Sequence, residues 1–325
     1  MSTDVNINMQ IDDMFDMGNS NEKNNQQTKK VVFNADNYLN TRLNDNETTR
    51  DIRIRIISTR DIDGKDKVGI PIQVHSIKLN AKQKLARIIS NSDYKSFICL
   101  NDEHLDKNEH DKGCPLCNKK SELFAEANEC LDPMTHKAIC KQAYKFDSKK
   151  AYIVRCIERG KESEGVKFWR FNDHKDGSGI MDKLKNLCVN YMQDGVNIFN
   201  YEDGHDLILK LTKNPNPTPG APDKTVLDIM VAVKPSKLSN NAEQLNNWIN
   251  DDKDWRDMYR SKSYDYLKIV ADGESPIWSK EENKFVVWQN PEEFEQQAQK
   301  SEQEAAKELL NNDLDLSEEN DELPF

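Results

Sequence analysis

Cys114 and Cys117 stand three positions apart in the run GCPLC, residues 113–117, the densest chemical signal in the chain. Two thiols on a tight Pro-bearing turn suit a tetrahedral metal such as zinc, which takes both thiolates from one side of the loop. The same letters serve a redox pair, but that chemistry expects a strand before the motif and a helix opening on it. Here a long charged loop, NDEHLDKNEHDKG, leads in instead. A metal needs two further ligands. One set takes His75 from IQVHSI and Cys99 from the end of SFIC, both on strand-like segments that can face the CPLC turn. A second takes His136 and Cys140 from MTHKAIC, where i, i+4 spacing shares one helical face. A third draws on His104 or His110 in the charged loop. Spacing alone does not choose among them.

A second constellation mixes cations with rings. AYKFDSKKAYIVRCIERGK carries Tyr144, Lys145, Lys149, Lys150, Tyr152 and Arg155, and GVKFWRF carries Lys167, Trp169, Arg170 and Phe171. In a strand, Lys167, Trp169 and Phe171 share one side while Phe168 and Arg170 share the other. Single-stranded nucleic acid is bound by this mixture, because cations track phosphates and rings offer faces on which any base stacks. Tyr144, Tyr152, Trp169 and Phe171 are the expected stacking residues. The third signal is DLDLSEENDELPF, whose last residues, Asp321, Glu322, Leu323, Pro324 and Phe325, suit a basic-rimmed pocket on a partner protein. No Walker loop, GxSxG, HExxH or deaminase HxE with PCxxC is present. Abundant Asp and Glu leave a metal-dependent nuclease as an alternative without singling out any carboxylate.

The elements that must position these residues are mostly strands. DIRIRIISTRD alternates Ile with Arg and predicts a half-buried strand with a basic outer face. IPIQVHSIKL, SFICL, KAYIVRCIE, VKFWRF, DLILKLTK and TVLDIMVAV read as further strands. AKQKLARIIS, NKKSELFAEANE, GIMDKLKNLCVNYM and NAEQLNNWINDDKDWRDMYR read as helices. Several short strands with inserted helices predict a mainly β, barrel-like core.

Charge divides the chain into three. Residues 291–325 hold twelve acidic residues against two lysines, and residues 1–28 hold five against one. With a net charge of −11 overall, the body from 29 to 290 is +3, a mildly basic core between acidic ends. The expected organisation is a disordered acidic segment over 1–30, a folded core over 31–290, and a helical then acidic partner-binding tail over 291–325. A mean hydropathy of −0.87 agrees with unpacked ends. No apolar run approaches membrane-spanning length, MSTDVNINMQ lacks signal-peptide character, and seven cysteines are a poor disulfide framework. A cytoplasmic protein that does not engage membranes is the expectation.

Together these pieces resemble the phage single-stranded DNA-binding proteins typified by the T-even helix-destabilising protein. The resemblance covers roughly residues 35–240 and is carried by CPLC, YIVRCIE, EGVKFWRF, IMDKLKNL and NYEDGHDLILKL. It implies an OB-fold core stapled by one structural zinc bound through one His and three Cys, in the order His, Cys, loop, CPxC. That order matches His75, Cys99, Cys114 and Cys117. It also implies a non-enzymatic protein that coats ssDNA in replication, recombination and repair, self-associates along the strand, and recruits replication proteins through its tail. The family's basic N-terminal segment has no counterpart in MSTDVNINMQIDDMF. The ending DELPF is similar instead to the tip of bacterial single-stranded DNA-binding proteins. A zinc-bearing protein-interaction or transcription module is the alternative that keeps the metal without the DNA.

Overall fold

The computed structural model describes residues 34–289 except 45, 61–65, 91–92, 106–111, 174–177 and 215–224. The acidic segments 1–30 and 291–325 therefore lie outside the described residues, as does His110.

Seven strands form one antiparallel sheet: β1 (Thr49–Ile57), β4 (Ile70–Lys78), β5 (Tyr94–Ile98), β6 (Ser148–Glu158), β7 (Lys167–Asn172), β8 (Leu207–Lys213) and β9 (Thr225–Val231). A two-residue pair, β2 (Thr59–Arg60) with β3 (Asp66–Lys67), follows β1, and a separate hairpin joins β10 (Pro276–Ser279) to β11 (Lys284–Val287). The long strand β6 organises the sheet. Its residues 148–153 pair with β4 and 155–158 with β1, while 151–156 pair with β7. Since a strand has two edges, β4 and β1 lie end to end on one edge of β6, and β7 takes the other. β1 then hands the sheet on to β8 and β9. At the fork a Cβ on Gly69 would lie 2.9 Å from Val154 Cγ2 and 3.0 Å from Met181 Cε, so the chain passes there only without a side chain.

The helices are α1 (Ala81–Ala86), α2 (Pro115–Glu129), α3 (Pro133–Ala143), α4 (Ile180–Gln193), α5 (Ala242–Ile249), α6 (Trp255–Met258) and α7 (Tyr264–Ala271). Among the described residues no helix is long and apolar enough to cross a membrane. Helix α4 lays Met181 and Leu184 on one sheet face, over Trp169, Phe171, Leu207, Leu209 and Leu211. The other face is covered by Tyr38, Trp255, Met258, Tyr259 and the apolar side of α7. Each fully buried Ile or Leu in these layers contributes about 1.5–3 kcal/mol relative to exposure.

The sequence pattern locates the strands but not every face. Arg53 is exposed as a basic outer face requires, whereas Arg55 is 0 % exposed. Its guanidinium donates to the Asn200 carbonyl at 2.6 Å and the Ser236 carbonyl at 3.0 Å, and faces Asp206 at 3.5 Å. Arg159 reaches the same carboxylate at 2.9 Å. This corrects the basic face on β1: Arg55 anchors the loops beside β8 instead of facing solvent. The stretch NAEQLNNWINDDKDWRDMYR also splits into α5 and α6, because Asp254 caps a new start by accepting from the Arg256 amide.

Candidate metal centre and nucleic-acid interface

The residues around GCPLC build the metal centre locally. Gly113 has φ +73°, a left-handed conformation that favours glycine and turns the chain into Cys114. Cys114 is the extended N-cap of α2, and Pro115 stands at the first helical position, where no backbone donor is required. Cys117, one turn in, therefore projects on the same side. The helix N-terminus adds positive potential that favours thiolates. On β4, His75 pairs with Phe97 of β5 and Ser148 of β6. Cys99 follows β5, and its amide extends the ladder to the Gln73 carbonyl at 2.9 Å.

These elements bring together His75, Cys99, Cys114 and Cys117, whose ligand atoms all lie within 4.8 Å of one another. His75 Nε2 is 3.5 Å from Cys114 Sγ and 3.6 Å from Cys117 Sγ, and Cys99 Sγ is 3.5 Å from Cys117 Sγ. Zinc bonds of about 2.3 Å to sulfur and about 2.0 Å to nitrogen place tetrahedral ligands roughly 3.5–3.8 Å apart. The cluster has that size. His75 Nδ1 lies 2.8 Å from the Phe146 carbonyl oxygen, which can only accept, so Nδ1 carries a proton and Nε2 is the ring atom turned to the sulfurs. Burial alone would depress the His75 pKa, but the neighbouring Cys114 and Cys117 sulfurs raise it to about 9. Hydrogen bonding from Cys117, then Cys99, pulls the Cys114 thiol strongly down, while contact with Cys114 pushes Cys99 strongly up. Three crowded thiols cannot all ionise unaided, and a divalent cation would remove that conflict. The set could hold a metal ion and is compatible with a structural zinc.

The rival ligands fall elsewhere. His136 Nε2 and Cys140 Sγ meet at 3.5 Å on α3, as i, i+4 spacing predicts, yet they belong to no group of three potential ligands among the described residues. His104 is buried and has its Nδ1 3.1 Å from Asp102 Oδ1.

The ring-and-cation residues divide into two groups. Trp169 is 1 % exposed and packs 4.5 Å from Phe171, itself buried against Tyr152. Arg155 donates to the carbonyls of Ser58, Trp248 and Asp251. Lys167 is clamped at 2.5 Å by both Glu158 and Glu164. Arg170 is half-buried, and burial pulls its pKa down. The predicted alternation of β7 is present, but core covers both faces. That corrects the expectation for Tyr152, Arg155, Lys167, Trp169 and Phe171, which are scaffold and not surface.

Tyr144, Lys145, Lys149 and Lys150 are exposed. Tyr144 and Lys145 lie on the single 3-10 turn Tyr144–Phe146, and Lys149 and Lys150 open β6. Tyr144 is held edge-on by Phe124 at 5.3 Å, and Phe124 in turn lies under Lys120. Lys150 sits 5.0 Å from the Tyr152 ring, and hydrogen bonding with Tyr152 raises its pKa. Reading by β-strand alternation misses Lys137 and Lys141, exposed on α3; the absence of any acidic residue between Asp132 and Asp147 is the signal that marks them.

Compared with known proteins, the chain matches no family model and no curated protein.

Proposed function

We propose that this is a non-enzymatic, sequence-independent ssDNA-binding protein of the T-even helix-destabilising type, acting in phage-like replication, recombination and repair. The observation that carries this reading is the turn at 144–150. It presents one ring and three lysines to solvent, and none of those lysines has an ion-pair partner among the described residues. Cations without a paired carboxylate, beside an exposed ring, suit a phosphate backbone with unstacked bases. The sheet, with β4 and β1 end to end along β6, fits the OB-fold core that the resemblance implies. The metal centre fits one structural zinc, held by His75, Cys99, Cys114 and Cys117. When bound, that ion supplies a cross-link between β4, β5 and the start of α2. His75 also ties the turn to the cluster through the Phe146 carbonyl.

Anisotropy of labelled poly-dT tests the reading. Tight binding at low salt that weakens steeply with added salt is expected, because binding releases counterions. No binding at low salt would overturn it. Capture of a replication protein by the tail, Asp321 to Phe325, without any ssDNA affinity would favour the interaction module, and Mg²⁺-dependent cleavage of the strand would favour the nuclease. Deleting residues from Asn311 onward removes a competing polyanion and should raise poly-dT affinity at low salt; equal affinity of the two forms would refute that role for the tail.

A further inference from the structure

We infer that the outer side of α3 is a second stretch of strand-binding surface, in which Lys137 and Lys141 extend the Lys145, Lys149 and Lys150 cluster into a track for the sugar-phosphate backbone. The inference rests on the ssDNA reading above and goes beyond it by adding a surface outside the sheet.

The packing of α3 does not account for its composition. Of its eleven residues only Ala143 is buried. Lys137 and Lys141 are separated by one helical turn, share a face, and advance about 6 Å along the axis. That step is comparable with the separation of successive phosphates on an extended strand. Lys145 follows four positions later on the 3-10 turn, with Tyr144 beside it, so one ring stands among the cations of the same path.

The density of unpaired cations sets this path apart. Elsewhere several lysines meet carboxylates, Lys82 with Glu274, Lys183 with Asp228, Lys237 with Glu202 and Lys284 with Glu282, and exposed Lys185, Lys210 and Lys234, which have no such partner among the described residues, do not form a run of five. Among the described residues none of the five lysines from 137 to 150 has a carboxylate at ion-pair distance. The two acidic residues that bracket the helix are engaged. Asp132 caps α3 by accepting from the Thr135 amide and hydroxyl, and Asp147 pairs with Lys120. On neighbouring α2, Glu122 lies 3.9 Å from Lys119, while Glu126 and Glu129 are exposed and reach none of the five. Lys150 is attracted by Asp173 and Asp182, but with no carboxylate paired to any of the five the track keeps a net positive field, as attraction of a polyanion requires.

The test uses full-length, zinc-loaded protein and oligo-dT. Lys137→Gln with Lys141→Gln should lower the magnitude of the log K against log salt slope by about 1.4, from about 0.7 per phosphate contact on a single strand. Metal content and Tm should stay at wild-type values, since neither side chain packs in the core. Lys137→Arg with Lys141→Arg should keep the wild-type slope, separating charge from any effect on folding. A wild-type slope in the Gln variant overturns this inference alone. An unchanged slope with lost affinity for a peptide of residues 311–325 also overturns it, and assigns the track to acidic protein segments. Wild-type protein that fails to bind oligo-dT overturns the inference together with the reading beneath it.

Discussion

Strands β6 and β7 and the turn that leads into them are neighbours in sequence and alike in composition, yet the fold seals one and opens the other. Beyond Lys150 the strands commit their cations: Lys167 lies between Glu158 and Glu164, and Arg155 is spent on three backbone carbonyls. Their rings fill the layer beneath α4. At the turn, Tyr144 is 61 % exposed, and among the described residues no carboxylate lies at ion-pair distance from its lysines. Composition marks both regions as candidates for binding a polyanion. Counter-charge and cover decide which one is free to do it.

The cluster of His75, Cys99, Cys114 and Cys117, which could hold a metal ion, lies where the two regions meet, so removing one of its ligands should have the largest effect. Cys114 and Cys117 hold the start of α2, and His75 holds the Phe146 carbonyl at the far end of α3. Both ends of the α2–α3 hairpin thus meet at one cluster, while the hairpin between them buries little besides Leu116, Ala127 and Ala143. Cys117→Ser should abolish stoichiometric zinc. At about 2–4 °C per kcal/mol for a domain of this size, losing several kcal/mol lowers Tm by on the order of 10 °C. Poly-dT affinity should fall with it, because the open region is carried on the hairpin. Full zinc content in the variant would remove Cys117 from the ligand set.

The second test exchanges the roles of two aromatic residues. Trp169→Ala should cost about 3–5 kcal/mol of stability by opening the core, and Trp169→Phe should leave oligo-dT affinity unchanged. Tyr144→Ala should leave Tm close to wild type while weakening oligo-dT binding by about 1–3 kcal/mol, the range for one base stacked on a ring. Denaturation and anisotropy on the same samples read both quantities. Loss of DNA affinity in a stably folded Trp169→Phe protein would show that the strands are not sealed in solution.

How far the sequence reveals this difference depends on what local pattern encodes. Alternation correctly places Trp169 and Phe171 on one side of β7 and Phe168 on the other, since period is a property of the strand itself. Whether a second layer covers each side is not local. Residues as distant as Leu39, Met181 and Tyr259 supply the cover, so the strands read as a surface until the whole chain is folded. Arg55 is misread for the same reason, because its acceptors come from residues 200, 206 and 236. The candidate metal ligands are more legible. CPLC fixes half the site by its spacing, and the order of ligands in the resembling family selects His75 and Cys99, which the fold then brings beside it. Helix α7 and the β10–β11 hairpin carry no motif and are legible only as packing against the rest.

Acid should expose the smallest difference. Burial pushes the Glu158 carboxyl up, but hydrogen bonds from Lys167 and Lys161 hold it below its ordinary value of 4.5. Burial likewise opposes the charge on Lys167, and Glu158 and Glu164 raise its pKa in spite of it. The Glu158 contribution is complete above the unfolded pKa and is lost as pH falls through the lowered folded value; that of Lys167 is lost only in strong alkali. Stability of wild type minus that of Glu158→Gln should therefore be constant near neutrality and shrink below about pH 4.5. Because Lys167 is locked inside the sealed region, Glu158→Gln should leave the salt slope for oligo-dT unchanged. A shift in that slope would mean that freeing Lys167 adds a phosphate contact, and the boundary between the two regions would then be set by Glu158 and Glu164 and not by packing.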